Sequence, residues 1–173
     1  MNTKYETIKN IVLKHIDGVG NFPSSINGVR LVRRDEPTDF MKCFYNPSCI
    51  LVLQGQKHMI YGEENFIYGA GQYVISCADM PVSSRVKVAD KNNPFVVLVL
   101  EFDSSLISQL ILETKPRLNM EQENKYIAMA DIDVDLLDAF YRLALLLDKP
   151  QVEQDVLAPM VIKEIYYRLL IGP

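Results

Sequence analysis

Ile50-Leu-Val-Leu-Gln-Gly-Gln-Lys-His-Met-Ile-Tyr-Gly-Glu-Glu-Asn-Phe-Ile-Tyr-Gly-Ala-Gly-Gln-Tyr-Val-Ile-Ser-Cys77 is the stretch whose reading decides the fold. Its short apolar runs are separated by Gln54-Gly55-Gln56, by Tyr61-Gly62-Glu63-Glu64-Asn65 and by Gly69-Ala70-Gly71-Gln72. Runs of this length, rich in Val, Ile, Tyr and Phe and punctuated by glycine, read as strands. Glycine serves where the backbone turns through positive φ, which costs other residues about 1–2 kcal/mol. Successive strands so close in sequence leave no room for crossover helices. The sheet is therefore expected to be antiparallel and curled into a barrel or sandwich.

Outward from this core the strand pattern continues in both directions. Upstream, Val29–Arg34 alternates apolar and basic residues, Asp35–Asp39 is a turn, Phe40–Tyr45 is a strand and Asn46-Pro47-Ser48 breaks it. Downstream, Val82, Ser84, Val86 and Val88 share one face while Ser83, Arg85 and Lys87 share the other, so one side is expected to be buried and the other wet. Phe95–Phe102 is apolar on both faces, as a strand covered on each side should be. The first residues differ: Tyr5, Ile8, Ile11, Val12 and Ile16 recur at helical spacing over Thr3–Ile16, and Asp17-Gly18 closes the pattern. Gly20–Ser25 reads as a loop.

At Asp103 the period changes from two to that of a helix. Asp103-Ser104-Ser105 offers caps, Leu106, Ile107, Leu110 and Ile111 follow, and Pro116 ends the segment. Arg117–Lys125 is polar and reads as a mobile loop, and Tyr126–Met129 as a short strand or extended link. Asp131 or Asp133 caps a third helix running through Leu147, apolar nearly all round. Its excess apolar surface must be covered by another part of the chain or by a second chain. After Lys149-Pro150 a last helix is expected from near Asp155 to Leu170, with Pro159 in its first turn. Strands first and helices last predict an α+β, mainly β fold. The expected architecture is one domain: a cupin-like antiparallel β-barrel over 20–102, with an N-terminal helix (1–19) and a C-terminal helical module (103–173).

The 173 residues suffice for one core without disulfides or metal. A net charge of −4 makes the chain a poor partner for a phosphate backbone. Cys43, Cys49 and Cys77 are an odd set without C-x-x-C spacing, which fits a reducing compartment. The polar N-terminus lacks the apolar run of a signal peptide, and no apolar stretch approaches a membrane span. These features place the protein in the cytoplasm, away from the membrane.

Candidate chemistry is sparse. A catalytic cupin gathers several imidazoles and a carboxylate around a metal, yet His15 and His58 are the only histidines and His15 lies outside the barrel. No metal site or cofactor is expected. No phosphate loop, G-x-S-x-G or H-E-x-x-H occurs, and the doublets Asp35-Glu36 and Glu63-Glu64 read as solvated turns. Arg85, between Ser83 and Lys87 on the wet face, is expected in solvent. The candidates that remain suit binding. Met41, Cys43 and Tyr45 share a strand face that can look inward, Met59 and Tyr61 share another, and Ser84 is polar on an apolar face. Glu101, at the end of a strand without other charge, either pairs with a base at the rim or meets a polar ligand. Mostly apolar walls with a few polar groups are those of a small-molecule pocket.

Asn46-Pro47-Ser48 followed by Leu51-Val52-Leu53-Gln54-Gly55-Gln56-Lys57, then Tyr68-Gly69-Ala70-Gly71-Gln72-Tyr73, Met80-Pro81-Val82 and Pro94-Phe95 leading to Leu98–Asp103, resembles the N-terminal domain of AraC/XylS-type transcriptional regulators. The resemblance runs from about Asn21 to Pro173. It implies a non-enzymatic barrel that senses a small effector and helices that form a homodimer. It further implies a helix-turn-helix module beyond Glu164–Pro173, absent from this sequence, through which alone DNA would be met. On this reading Cys43, Tyr45, Met59, Tyr61, Ser84 and Glu101 line the effector pocket, and Leu136, Phe140, Leu143 and Leu147 form the dimer interface. The alternatives are a cupin enzyme, with or without metal, and a stand-alone binding module.

Overall fold

The computed structural model describes residues 3–114 and 126–172. The expected loop Arg117–Lys125, and Pro116 before it, lie outside them. In chain order the elements are α1 (Thr3–Lys14), β1 (Gly20–Pro23), β2 (Val29–Arg34), β3 (Met41–Tyr45), β4 (Ser48–Gln54), β5 (Gln56–Tyr61) and β6 (Glu64–Gly69). They continue with β7 (Gln72–Ser76), β8 (Met80–Val88), β9 (Phe95–Glu101), α2 (Ser104–Thr114), β10 (Ile127–Asp131), α3 (Val134–Leu146) and α4 (Gln151–Ile171).

The class is α+β, mainly β, and every strand pairing among the described residues is antiparallel. The strands form a six-stranded sheet ordered β1-β2-β9-β4-β7-β10 and a four-stranded sheet ordered β3-β8-β5-β6. The cupin-like arrangement is thus two facing sheets, not one ring closed by hydrogen bonds. The opening stretch divides between them: β4 and β7 pair in the larger sheet, while the β5–β6 hairpin belongs to the smaller.

Alternation along the central strands builds three layers. On β9, Val96, Leu98 and Leu100 face a core shared with the helices, while Phe95, Val97 and Val99 face the second sheet. β4 does the same, with Cys49, Leu51 and Leu53 toward the helices and Ile50 and Val52 between the sheets. A strand covered on both sides must be apolar on both, and β9 is buried from Phe95 to Leu100. The buried face read for β8 holds at Val82, Ser84 and Val86 but ends before Val88, which is 54% exposed where the β5–β8 register shifts.

Asp133 caps α3, its carboxylate accepting from the backbone N–H groups of Asp135 and Leu136 at 2.9 and 2.8 Å. Asp103 caps α2 in the same way. The loop expected at Gly20–Ser25 is in part the edge strand β1, paired with β2. α4 also starts earlier than expected. It begins at Gln151 behind Pro150, and Pro159 sits within it. Asp155 and Pro159 are both exposed, so the carbonyl freed by proline can be hydrated.

The apolar excess of α3 is covered within the chain. Leu136, Phe140, Leu143 and Leu147, assigned above to a dimer interface, are at most 4% exposed and sit in the core with α1, α4 and the sheet. Salt bridges join Lys4 of α1 to Asp138 of α3 and Lys14 of α1 to Asp148 in the turn after α3.

Candidate functional site

The inter-sheet space is packed at one side and open at the other. Met59, Tyr68, Val74 and Met80 fill the packed part, with Tyr61 and Phe66 against them. Beside them lies a cleft of about 230 Å³. The larger sheet gives it an apolar floor of Ile50, Phe95, Val97 and Val99, with Arg30, Val32 and Arg34 of β2 beside them. The smaller sheet contributes Cys43 and Tyr45 from β3, Lys57 from β5, Tyr68 from β6, and Ser84 and Val86 from β8.

Strand periodicity puts these groups there. Val29 and Leu31 of β2 enter the helix-side core, so the residues between and after them turn toward the second sheet. On β5, Lys57 has the same parity as Met59, which is fully buried between the sheets. The phenol oxygens of Tyr45 and Tyr68 lie 2.8 Å apart, and Cys43 Sγ lies 3.3 Å from Ser84 Oγ. Burial, with the Tyr45 phenol beside it, holds Tyr68 well above the usual phenol range and therefore neutral.

Of the six residues expected to line the pocket, Cys43, Tyr45 and Ser84 border this cleft. Met59 and Tyr61 are not among its lining residues and belong to the packed cluster beside it. Glu101 does not border it either, and its carboxylate accepts from Arg30 Nε at 2.6 Å. Arg85 is half-buried and borders the cleft, where solvent exposure was expected. Its guanidinium lies 4.8 Å over the Phe40 ring, and its Nε is buried without a hydrogen-bond partner.

Sequence reading missed Arg30, Arg34, Lys57 and Tyr68. The signal for Lys57 was its parity with Met59 and Tyr61, both already assigned to the pocket. For Arg30 and Arg34 the default that basic strand residues face water obscured it. Arg30 is balanced by Glu101. Arg34 donates to three neutral acceptors, Gly20 O, Arg33 O and Asn21 Oδ1, at 2.7–2.8 Å. Burial lowers its pKa below the ordinary value. The Lys57 ammonium lies 5.1 Å over the Tyr45 ring. Among the described residues, no Asp or Glu lines the cleft.

The histidines stand apart. His58 Nε2 meets Asn65 Oδ1 at 3.2 Å, and His15 Nε2 meets Asp148 Oδ1 at 2.8 Å. Among the described residues no group of three or more His, Cys, Asp or Glu is placed to hold a metal ion, and no helix is long and apolar enough to cross a membrane.

A second cavity, of about 330 Å³, lies where the end of β9 meets α4, between Ile26, Glu101, Asp103, Ala158 and Ile162. There Tyr166 of α4 binds both sides of the β9–α2 junction. Its hydroxyl donates to Glu101 O at 2.7 Å and accepts from Asp103 N at 3.0 Å.

Two facing sheets with a cleft between them, backed by a helical module hydrogen-bonded to the sheet's end, make a mainly β domain with an attached helical module. Residues 25–173 match the model of the AraC-type transcriptional regulator N-terminus, and the chain belongs to that family. Among solved structures, an apo variant of ToxT from Vibrio cholerae strain SCE256 is similar at a TM-score of 0.56 and 11% identity, over 85% of this chain and 56% of that one. Wild-type ToxT from the same strain, with an unsaturated fatty acid bound, is similar at 0.55 and 15% identity, over 91% of this chain and 60% of that one. At such identities the likeness speaks for the fold alone. The chain spans less than two thirds of either ToxT chain. No curated protein matches it.

Proposed function

We propose that this chain is the effector-sensing and dimerisation part of a cytoplasmic AraC-type transcription regulator, without catalytic activity of its own. The small effector would occupy the cleft between the sheets, and DNA would be met only through a further module. The observation that carries this reading is the cleft itself: an apolar floor with polar and charged groups from both sheets, in a chain of this family. The fatty acid bound to ToxT supports a small organic ligand for a related fold. For the homodimer, the enclosed side chains of α3 are the wrong candidates. The face we assign to a second copy is the stripe of α4 formed by Val152, Val156, Met160 and Tyr167, each 40–77% exposed and repeating along one side of the helix.

Effector binding would act by favouring one arrangement of the helical module over another, and only by its difference in affinity between the two. The test is thermal unfolding of the purified chain against a panel of small organic acids, alcohols and amines. We expect a saturable rise in melting temperature with at least one class, abolished by Val97→Phe, which fills the cleft floor. Stabilisation by none of the classes, in protein from which extraction also releases no small molecule, would remove the sensing claim.

A further inference from the structure

The charges around the cleft are unbalanced. Three cationic side chains belong to strand faces turned between the sheets, and of these only Arg30 has a carboxylate, that of Glu101. Arg34 is tied to neutral oxygens, and Lys57 rests on the face of Tyr45. Arg85 adds a half-buried guanidinium at the border, with one nitrogen buried and unpartnered. Among the described residues the cleft has no acid in its lining, so none there neutralises Arg34 or Lys57. Holding cations out of bulk water without a counter-charge is unfavourable, and buried charges are normally paired.

The neutral part of the cleft is as informative. Ile50, Val97 and Val99 are at most 9% exposed and offer no hydrogen-bonding side chain. The Tyr45 and Tyr68 hydroxyls bond to each other, which leaves one of the two protons to donate outward. A volume of about 230 Å³ is that of about eight water molecules at ~30 Å³ each. A ligand of roughly ten non-hydrogen atoms fits it.

We propose that the ligand of this cleft is a small organic carboxylate, its anion taken by Lys57 and Arg34, one from each sheet, and its apolar body laid against Ile50, Val97 and Val99. Lys57 is the discriminating group. Arg34 also holds the edge strand β1 through Gly20 O and Asn21 Oδ1, whereas the Lys57 ammonium has only the Tyr45 ring. A flexible ammonium over an aromatic face can swing to a carboxylate at little cost. This inference rests on the sensing role proposed above and deepens it by naming the chemistry.

Calorimetric titration of the chain with octanoate, 1-octanol and octylamine tests it, since the three share a tail and differ in the charge of the head. We expect octanoate to bind at least tenfold more tightly than octanol, and octylamine not at all. Lys57→Met should weaken octanoate at least tenfold and leave octanol within twofold, while Lys57→Arg keeps most of the octanoate affinity. Octanol or octylamine binding as tightly as octanoate, with Val97→Phe blocking each, would overturn the carboxylate inference while leaving a sensing cleft. Binding of none of the three would overturn it too, and the sensing role would then depend on the wider panel. The comparison of the three ligands on the unaltered chain stands even where Lys57→Met fails to fold.

Discussion

Gly55 separates β4 of one sheet from β5 of the other. Its φ is +81°, and a Cβ built there would lie 2.6 Å from the Val88 carbonyl oxygen and 2.8 Å from Phe95 Cα. Both obstacles are backbone in the strands that flank the cleft, so neither can swing aside. Gly62, at the β5–β6 turn, also has positive φ, yet nothing lies within 4 Å of its missing Cβ. Gly62→Ala should therefore cost only the conformational penalty of about 1 kcal/mol. Gly55→Ala should cost about 3 kcal/mol or more, a fall of roughly 6–12 °C in melting temperature. Equal effects of the two in thermal unfolding would refute the close approach. Tyr5 is a second single-residue anchor, donating to Val52 O at 2.6 Å and accepting from Gly71 N at 2.7 Å. Burial is the main cause that raises its pKa from 10.0 to about 12. The neutral phenol is the form the fold holds, so its contribution is complete below pH 10 and is lost as pH rises toward about 12. Tyr5→Phe should cost about 1–2 kcal/mol at pH 7 in urea unfolding, and should cost less at pH 11.

The helices show what the sequence could and could not say about whole elements. Caps at Asp103 and Asp133 were legible because a carboxylate before an apolar periodic run has a local physical role. The start of α4 was not, because Pro159 was taken as a boundary. A proline inside a helix is tolerated when the carbonyl it frees faces water, which depends on the tertiary position and not on the local sequence. β1 was missed because Gly20–Pro23 has no alternation of its own and is a strand only through pairing with β2. The width of α3's apolar surface was read correctly, but periodicity cannot tell a cover supplied by α1 and α4 from one supplied by a second chain. The two covers predict different behaviour. Leu143 is fully buried, so Leu143→Asp should leave no folded protein whose mass can be measured. Met160, 65% exposed on α4, should tolerate Met160→Asp with a change in stability within about 1 kcal/mol. If α4 carries the dimer, sedimentation should show Met160→Asp as a folded monomer at concentrations where the parent chain is dimeric. A dimer that survives the change would exclude that stripe.

At the scale of the molecule, the sandwich was legible and the charged side of its cleft was not. Alternation assigns residues to faces, but what each face meets is a property of the layers. Once helices cover one side of the larger sheet, Arg30 and Arg34 of β2, which would ordinarily face water, are turned toward the second sheet. The same layering connects the cleft to α4. Arg30 borders the cleft and binds the Glu101 carboxylate, Glu101 presents its carbonyl to the Tyr166 hydroxyl, and Tyr166 also receives Asp103 N at the start of α2. A ligand anion held by Lys57 and Arg34 would add negative charge beside the Arg30–Glu101 pair, and the strain would fall on the phenol that ties the sheet's end to α4. Tyr166→Phe removes both hydrogen bonds and keeps the ring against Phe102, 5.5 Å between centroids. It should cost about 1–2 kcal/mol of stability. Linkage requires that any ligand which strengthens dimerisation bind more tightly to the dimer, the gains at its two sites multiplying to the shift in the dimer constant. In the parent chain, octanoate should therefore shift the dimer dissociation constant by about threefold or more. In Tyr166→Phe that shift should vanish while octanoate affinity for the monomer stays within about threefold, because the cleft itself is untouched. Sedimentation with and without octanoate measures both quantities, and a full shift retained without the hydroxyl would mean that the signal reaches α4 by another route.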